Sequence, residues 1–182
     1  MMQQVTHTKD NLVACICEGT SERVIMEKLL QADKLIFTEE ELLNDEILGN
    51  SMRKAKVFQD TFLGLQLPSK IEVFRIVDSL NEKFVIEKLY KEKISGIYAV
   101  VTKPEIEMLI IHNEGKYEDF LKTKSKMKPS TYCKTVMKYK NVKNTGFIEE
   151  YFSDIDLLIR AIETYHSKRG DKSTLTLKDL LK

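Results

Sequence analysis

The chain has 182 residues, 42% of them hydrophobic and 31% charged, with a formal net charge of +1. That length and composition suit one globular domain with a sizeable core, and no apolar run reaches the roughly 18 residues of a membrane span, so no membrane partner is expected. Three cysteines are too few for a disulfide framework, and the polar stretch Met1–Asp10 has no signal-peptide core, so a cytoplasmic location is expected.

The run Leu12–Cys17 (LVACIC) reads as a strand buried on both faces. Cys15 and Cys17 fall on the same face and are expected as buried, reduced thiols. After Glu18-Gly19, Thr20 or Ser21 can cap a helix over Glu22–Asp33, whose apolar side is Ile25 and Leu29 with Met26 and Leu30. Thr38-Glu39-Glu40-Glu41 has capping-box spacing and predicts a second helix through Leu42, Leu43 and Ile47. Ala55, Phe58, Phe62 and Leu65 predict a third over Ser51–Leu65, ended by Pro68. Residues 34–68 are thus expected as a helical insertion after the first strand-helix unit.

Ile71–Val77 (IEVFRIV) predicts a second strand, followed at once by Asp78. Asn81–Lys93 is expected to be helical, with Phe84, Val85, Leu89 and Tyr90 inward and Gly96 closing it. Ile97–Val101 predicts a third buried strand. Thr102-Lys103-Pro104-Glu105 then opens a helix running to about His112, with proline in its first turn and acids where the dipole favours them. Lys116–Lys124 predicts a short helix and Ser125–Ser130 an exposed loop, while Tyr132–Lys140 fits a strand or a helix. Ile148, Tyr151, Ile155, Leu158, Ile162 and Tyr165 form a helical stripe that Ser153 and Asp156 could interrupt or re-cap. Leucines of the tail beyond Gly170 could dock a final turn. Strands alternating with helices predict an α/β fold over residues 10–182, a mainly parallel sheet with flanking helices and a helical C-terminal part at 145–182.

Charge is unevenly spread. Leu121–Ile148 holds no Asp or Glu but holds Lys122, Lys124, Lys126, Lys128, Lys134, Lys138, Lys140 and Lys143, a local +8 that leaves the remainder at −7 against the total of +1. Lysines interleaved with Tyr132 and Tyr139 suit phosphate contact and base stacking. A solvated charged face is the alternative. Arg75, beside Asp78, suits either a phosphate or a nearby acid. Candidate nucleic-acid contacts are therefore Arg75, Lys122, Lys124, Lys126, Lys128, Lys134 and Lys138.

The strand ends carry Glu18, Asp78 and the pair Glu105 and Glu107. In a parallel sheet these ends share one edge, the edge where open α/β folds bind ligands. Carboxylates gathered there repel one another unless a cation neutralises them, and hard oxygen donors suit Mg²⁺ or Mn²⁺. The alternative is that Glu105 pairs with Thr102 in a capping box and Asp78 caps its own helix. Within one helix Glu105 and Glu107 would point roughly 200° apart, so they could share an ion only across an irregular turn. No glycine-rich nucleotide motif, zinc-ligand spacing or nucleophile elbow is present, and His112 reads as a packing histidine.

The pattern of strand, Glu18-Gly19, helix and later strand-end acids resembles the Toprim domain of topoisomerases, bacterial primases, overcoming-lysogenization-defect nucleases and small maturation ribonucleases. Leu12–Leu30 carries the best match, and the resemblance spans about residues 10–115. It implies that Glu18 is a general acid/base or metal ligand. The family's Asp-x-Asp signature has its nearest equivalent here in Pro104-Glu105-Ile106-Glu107, with Asp78 as a rival. The resemblance implies Mg²⁺- or Mn²⁺-dependent cleavage of DNA or RNA, with Glu18, Asp78, Glu105 and Glu107 as metal ligands and an ATPase or other protein as a possible partner. A catalytically silent nucleic-acid-binding or regulatory module, such as a subunit of a defence or repair complex, is the alternative, and a protein-interaction subunit a third.

Overall fold

The three apolar runs pair as one parallel sheet. In a computed structural model, which describes residue 5 and residues 7–182, β1 (Leu12–Cys17), β2 (Ile71–Val77) and β3 (Ile94–Val101) lie in the order β1-β2-β3. The protein is thus an α/β fold, as the alternation of strands and helices predicts. β3 begins earlier than expected, and Gly96 lies inside it. A Cβ at Gly96 would come 2.8 Å from the Tyr98 ring, so the glycine makes room for that ring two residues on.

Alternation sends side chains to two cores. Val13, Cys15, Cys17, Phe74, Ile76 and Val100 pack on the helical side, against α1 (Thr20–Gln31), α3 (Met108–Asn113) and α7 (Ile155–Lys168). Cys15 and Cys17 are buried free thiols on this face. Ala14, Ile16, Ile71 and Val73 pack on the other side against Phe58, Phe62, Leu63, Phe84 and Ile86. The β1 edge and the C-terminal end of the β3 edge are paired with other segments, which leaves less exposed pairing surface. On β1, Leu48 N–H donates to the Cys15 carbonyl at 2.8 Å and the Leu48 carbonyl accepts from Cys17 N–H at 2.8 Å. On β3, Val101 N–H donates to the Leu175 carbonyl at 2.8 Å.

The insertion over 34–68 is present, built of short 3₁₀, α and π turns rather than two long α-helices. The Thr38–Glu41 capping box forms, yet it heads only the 3₁₀ turn Glu39–Glu41. Asn44 and Asp45 then take left-handed φ values of 64° and 56°, which ends any helix. Leu42 and Leu48 bridge to Val13 and Ile16 of β1 instead. Pairing with the sheet edge outweighs local propensity here. The expected Ser51–Leu65 helix shrinks to the 3₁₀ turn Asn50–Arg53, α2 (Ala55–Phe58) and a π turn over Gln59–Leu63.

The helix expected over Asn81–Lys93 is also absent, apart from the 3₁₀ turn Lys88–Lys93. Phe84 and Ile86 are buried while Val85 is 66% exposed, the period of extended chain rather than helix. Buried Gln59 holds this segment, its Oε1 accepting from Glu87 N–H at 2.5 Å. Farther on, α4 spans Tyr117–Leu121, and the expected loop at 125–130 passes into α5 (Pro129–Thr135), so the open reading of Tyr132–Lys140 resolves as a helix end and turn. The stripe from Ile148 divides into α6 (Thr145–Tyr151) and α7, re-capped by Asp154, which accepts from Asp156 N–H at 2.9 Å. Leu175, Leu177 and Leu180 are buried, so the tail does dock. Among the described residues no helix is long and apolar enough to cross a membrane.

Candidate functional site

The C-terminal ends of the strands open on a cleft of about 340 Å³. Its lining includes Glu18 after β1, Asp78 after β2, and Glu105 and Glu107 in the turn between β3 and α3. All four acids singled out from the sequence therefore meet in one place. Glu105 and Glu107 can both face the cleft because 104–107 is a non-helical turn and α3 begins only at Met108. The Lys103–Pro104 peptide that leads into it is cis.

A fifth carboxylate was not singled out. Glu22, in the first turn of α1, is buried and also lines the cleft. Gly19 is the N-cap of α1, the role expected of Thr20 or Ser21. A Cβ at Gly19 would collide with the Glu22 carboxylate, so the glycine lets that side chain fold back across the helix start. Burial raises the Glu22 pKa to about 7, and the charges of Glu107, Asp78 and Glu18 add to the rise. Burial likewise raises Glu107, with Glu105 adding to it.

Two cations answer these acids. Arg53 lies 3.5 Å from Glu18 and 3.3 Å from Glu82, and Lys143, at the end of the basic segment, lies 3.4 Å from Glu105. Glu105 accepts from Ser130 N–H at 2.8 Å, in the first turn of α5. Burial opposes its ionisation, but the Ser130 hydrogen bonds and the Lys143 ammonium hold it below the ordinary carboxylate range. The proposed capping roles are therefore corrected: Glu105 caps α5 rather than its own helix, and no helix follows Asp78 for it to cap. Glu22 was visible in Glu18-Gly19-Thr20-Ser21-Glu22 but reads there as a helix-start acid. Arg53 gave no signal, because its segment reads as an amphipathic helix.

The candidate nucleic-acid contacts divide. Arg75 is buried, donating to the Glu82 carbonyl at 3.2 Å and lying 4.9 Å from the Phe84 ring centroid, so it is not a surface phosphate contact. Tyr132 is buried edge-on to Phe120 and does not present a ring for base stacking. Tyr139 is half-buried and donates to Glu114 at 3.0 Å. Lys122, Lys124, Lys126, Lys128, Lys134 and Lys138 are all exposed. Of these, Lys122 pairs with Asp119 at 3.0 Å, while Lys124, Lys126 and Lys128 line a second, larger cavity. His112 is buried against Tyr117, as a packing histidine should be.

The donor set of the cleft is all hard oxygen, and burial, with the neighbouring carboxylates adding to it, raises Glu22. The oxygen donors fit a divalent cation held by Glu18, Asp78 and Glu107. Among the described residues, however, no three His, Cys, Asp or Glu side chains are grouped closely enough to hold a metal ion as they stand. Glu18 and Glu105 are engaged with Arg53 and Lys143 instead. No protein-family model, curated protein or solved structure matches the chain.

Proposed function

We propose that the protein cleaves nucleic-acid phosphodiester bonds with Mg²⁺ or Mn²⁺ at this cleft, in the manner of a Toprim-like nuclease. The observation that carries the reading is the meeting of acids from all three strand ends with the last lysine of the basic segment. Glu18, Asp78 and Glu107 would hold the ion, with Glu105 beside them positioned by Ser130 and Lys143. A bound ion supplies a water of lowered pKa and offsets charge developing on the phosphate. Glu22, buried beside these acids in the cleft, would be placed to carry a proton to or from the reacting oxygens. Arg53 and Lys143, released from Glu18 and Glu105, would take up phosphate charge. DNA or RNA is the substrate class, and a partner such as an ATPase remains part of the proposal through the family likeness alone.

A second reading, a catalytically silent nucleic-acid-binding module, is favoured by two observations: Arg53 already pairs with Glu18, and no ready-made metal group is present among the described residues. Cleavage assays separate the two. Purified protein with Mg²⁺ or Mn²⁺ is expected to nick or degrade DNA or RNA. Glu18→Ala and Glu107→Ala should each lower the rate by at least about two orders of magnitude, roughly 2.7 kcal/mol of barrier, while nucleic-acid retention persists. Metal-independent retention without any cleavage would establish the silent module.

A further inference from the structure

A cavity larger than the acidic cleft, a pocket of about 770 Å³, lies on the other side of the turn that carries Glu105 and Glu107. Lys103 and Pro104 of that turn line the pocket, while Glu105 and Glu107 line the cleft. The volume falls within the range of small-molecule sites. Its walls are aromatic and apolar, with Tyr117, Phe120, Tyr165 and Met108 prominent, and its rim is basic, with Lys124, Lys126 and Lys128.

Two buried nitrogens in the lining have no hydrogen-bond partner: Nδ1 of His112, a residue only 7% exposed, and Nε of Arg169. A buried polar atom left unpaired costs free energy, so a small side-chain movement that turned either nitrogen toward the pocket would give a ligand a hydrogen-bonding partner there. The imidazole stacks on Tyr117, with ring centroids 4.4 Å apart. Burial lowers the His112 pKa to about 4, so it is neutral at pH 7 and can pair with a neutral hydrogen-bonding ligand.

These features specify a ligand with three parts. Its body is flat and apolar enough to lie among aromatic rings. Its edge carries hydrogen-bonding groups, which a hydrocarbon chain lacks and a nucleobase has. Its outer end is anionic, to meet lysines that Asp171 alone opposes in the lining. We propose that this pocket binds a nucleotide, with the base against Tyr117 beside His112 and Arg169 and the phosphate on Lys124, Lys126 and Lys128. The same chemistry is offered by a free nucleoside monophosphate and by the phosphorylated end of a strand. The inference does not rest on metal-dependent cleavage at the cleft.

Calorimetric titration of the full chain in EDTA tests it with adenosine and uridine 5′-monophosphates, the matching nucleosides, 5′-phosphorylated and 5′-hydroxyl oligothymidylates, and decanoate. Monophosphates are expected to bind at least about tenfold more tightly than nucleosides. Tyr117→Ala should weaken both, whereas the triple change Lys124→Ala, Lys126→Ala, Lys128→Ala should abolish the advantage of the phosphate. Both variants alter half-buried or exposed side chains, and unchanged thermal unfolding will show that they are folded. Binding of monophosphates alone assigns a free nucleotide, and a preference for the 5′-phosphorylated oligonucleotide assigns a strand end. The proposal is overturned if no nucleotide binds, if decanoate binds more tightly than the monophosphates, or if the folded variants bind as the wild type does.

Discussion

Glu22 is the residue on which cleft electrostatics are concentrated. Its pKa is about 7 in the folded protein against about 4.5 unfolded, so between those values the folded state holds the extra proton. Stability from this group is therefore lost as pH rises from 4.5 through 7. Glu22→Gln should stabilise the protein at pH 8 by roughly 2–3 kcal/mol and change little at pH 4. His112 acts in the opposite sense: its pKa is lowered to about 4, so the unfolded chain takes the proton and stability falls as pH drops from 6.5 toward 4. The two slopes oppose each other in the wild type, and Glu22→Gln should expose the acid-side loss due to His112. Chemical denaturation across pH 4–8 measures both. At this scale the sequence marked Glu18, Asp78, Glu105 and Glu107, because each follows or lies near the end of an apolar run. It did not mark Arg53, whose role depends on where the 3₁₀ turn Asn50–Arg53 meets the cleft.

At the scale of elements, Gly19 and Gln59 are the positions where one side chain sets a local course. Gly19 has φ −120°, open to any residue, so its requirement is the close approach of the Glu22 carboxylate. Gly19→Ala should push that carboxylate toward solvent and bring its pKa down toward the ordinary range, as read by carboxyl NMR titration. Gln59→Leu should cost about 1–3 kcal/mol, since it strips buried hydrogen bonds from the segment that carries Phe84 and Ile86. The three strands were legible because fully buried parallel strands read as unbroken apolar runs. The segments 34–54 and 81–93 were not, whereas the Phe58 and Phe62 stripe did mark the helical turns over 55–63. The apolar residues of 34–54 and 81–93 match a helical period, yet Leu42 and Leu48 serve a sheet edge, and Phe84 and Ile86 alternate with exposed Val85. Pairing across long sequence separation leaves no local mark. The break at Ser153 was legible, although the capping residue is Asp154.

Across the whole molecule, the basic segment joins two features that its sequence position does not distinguish. Its early lysines border the aromatic pocket, and its last, Lys143, reaches the acidic cleft. Nucleic-acid retention should therefore fall steeply with salt, because each phosphate contact releases counterions. Replacing Lys124, Lys126 and Lys128 by Glu should remove most of it on a heparin or oligonucleotide column, whereas Arg75→Gln should leave it unchanged because Arg75 is buried. The central claim is that the acids at the strand ends form a divalent-cation site. A crystal soaked in millimolar Mn²⁺ and measured at the manganese edge tests it most directly. Anomalous density is expected in the cleft within bonding distance of Glu18 and of Asp78 or Glu107, with Arg53 drawn away from Glu18. A cleft without manganese, with the Arg53–Glu18 and Lys143–Glu105 pairs intact, would contradict it.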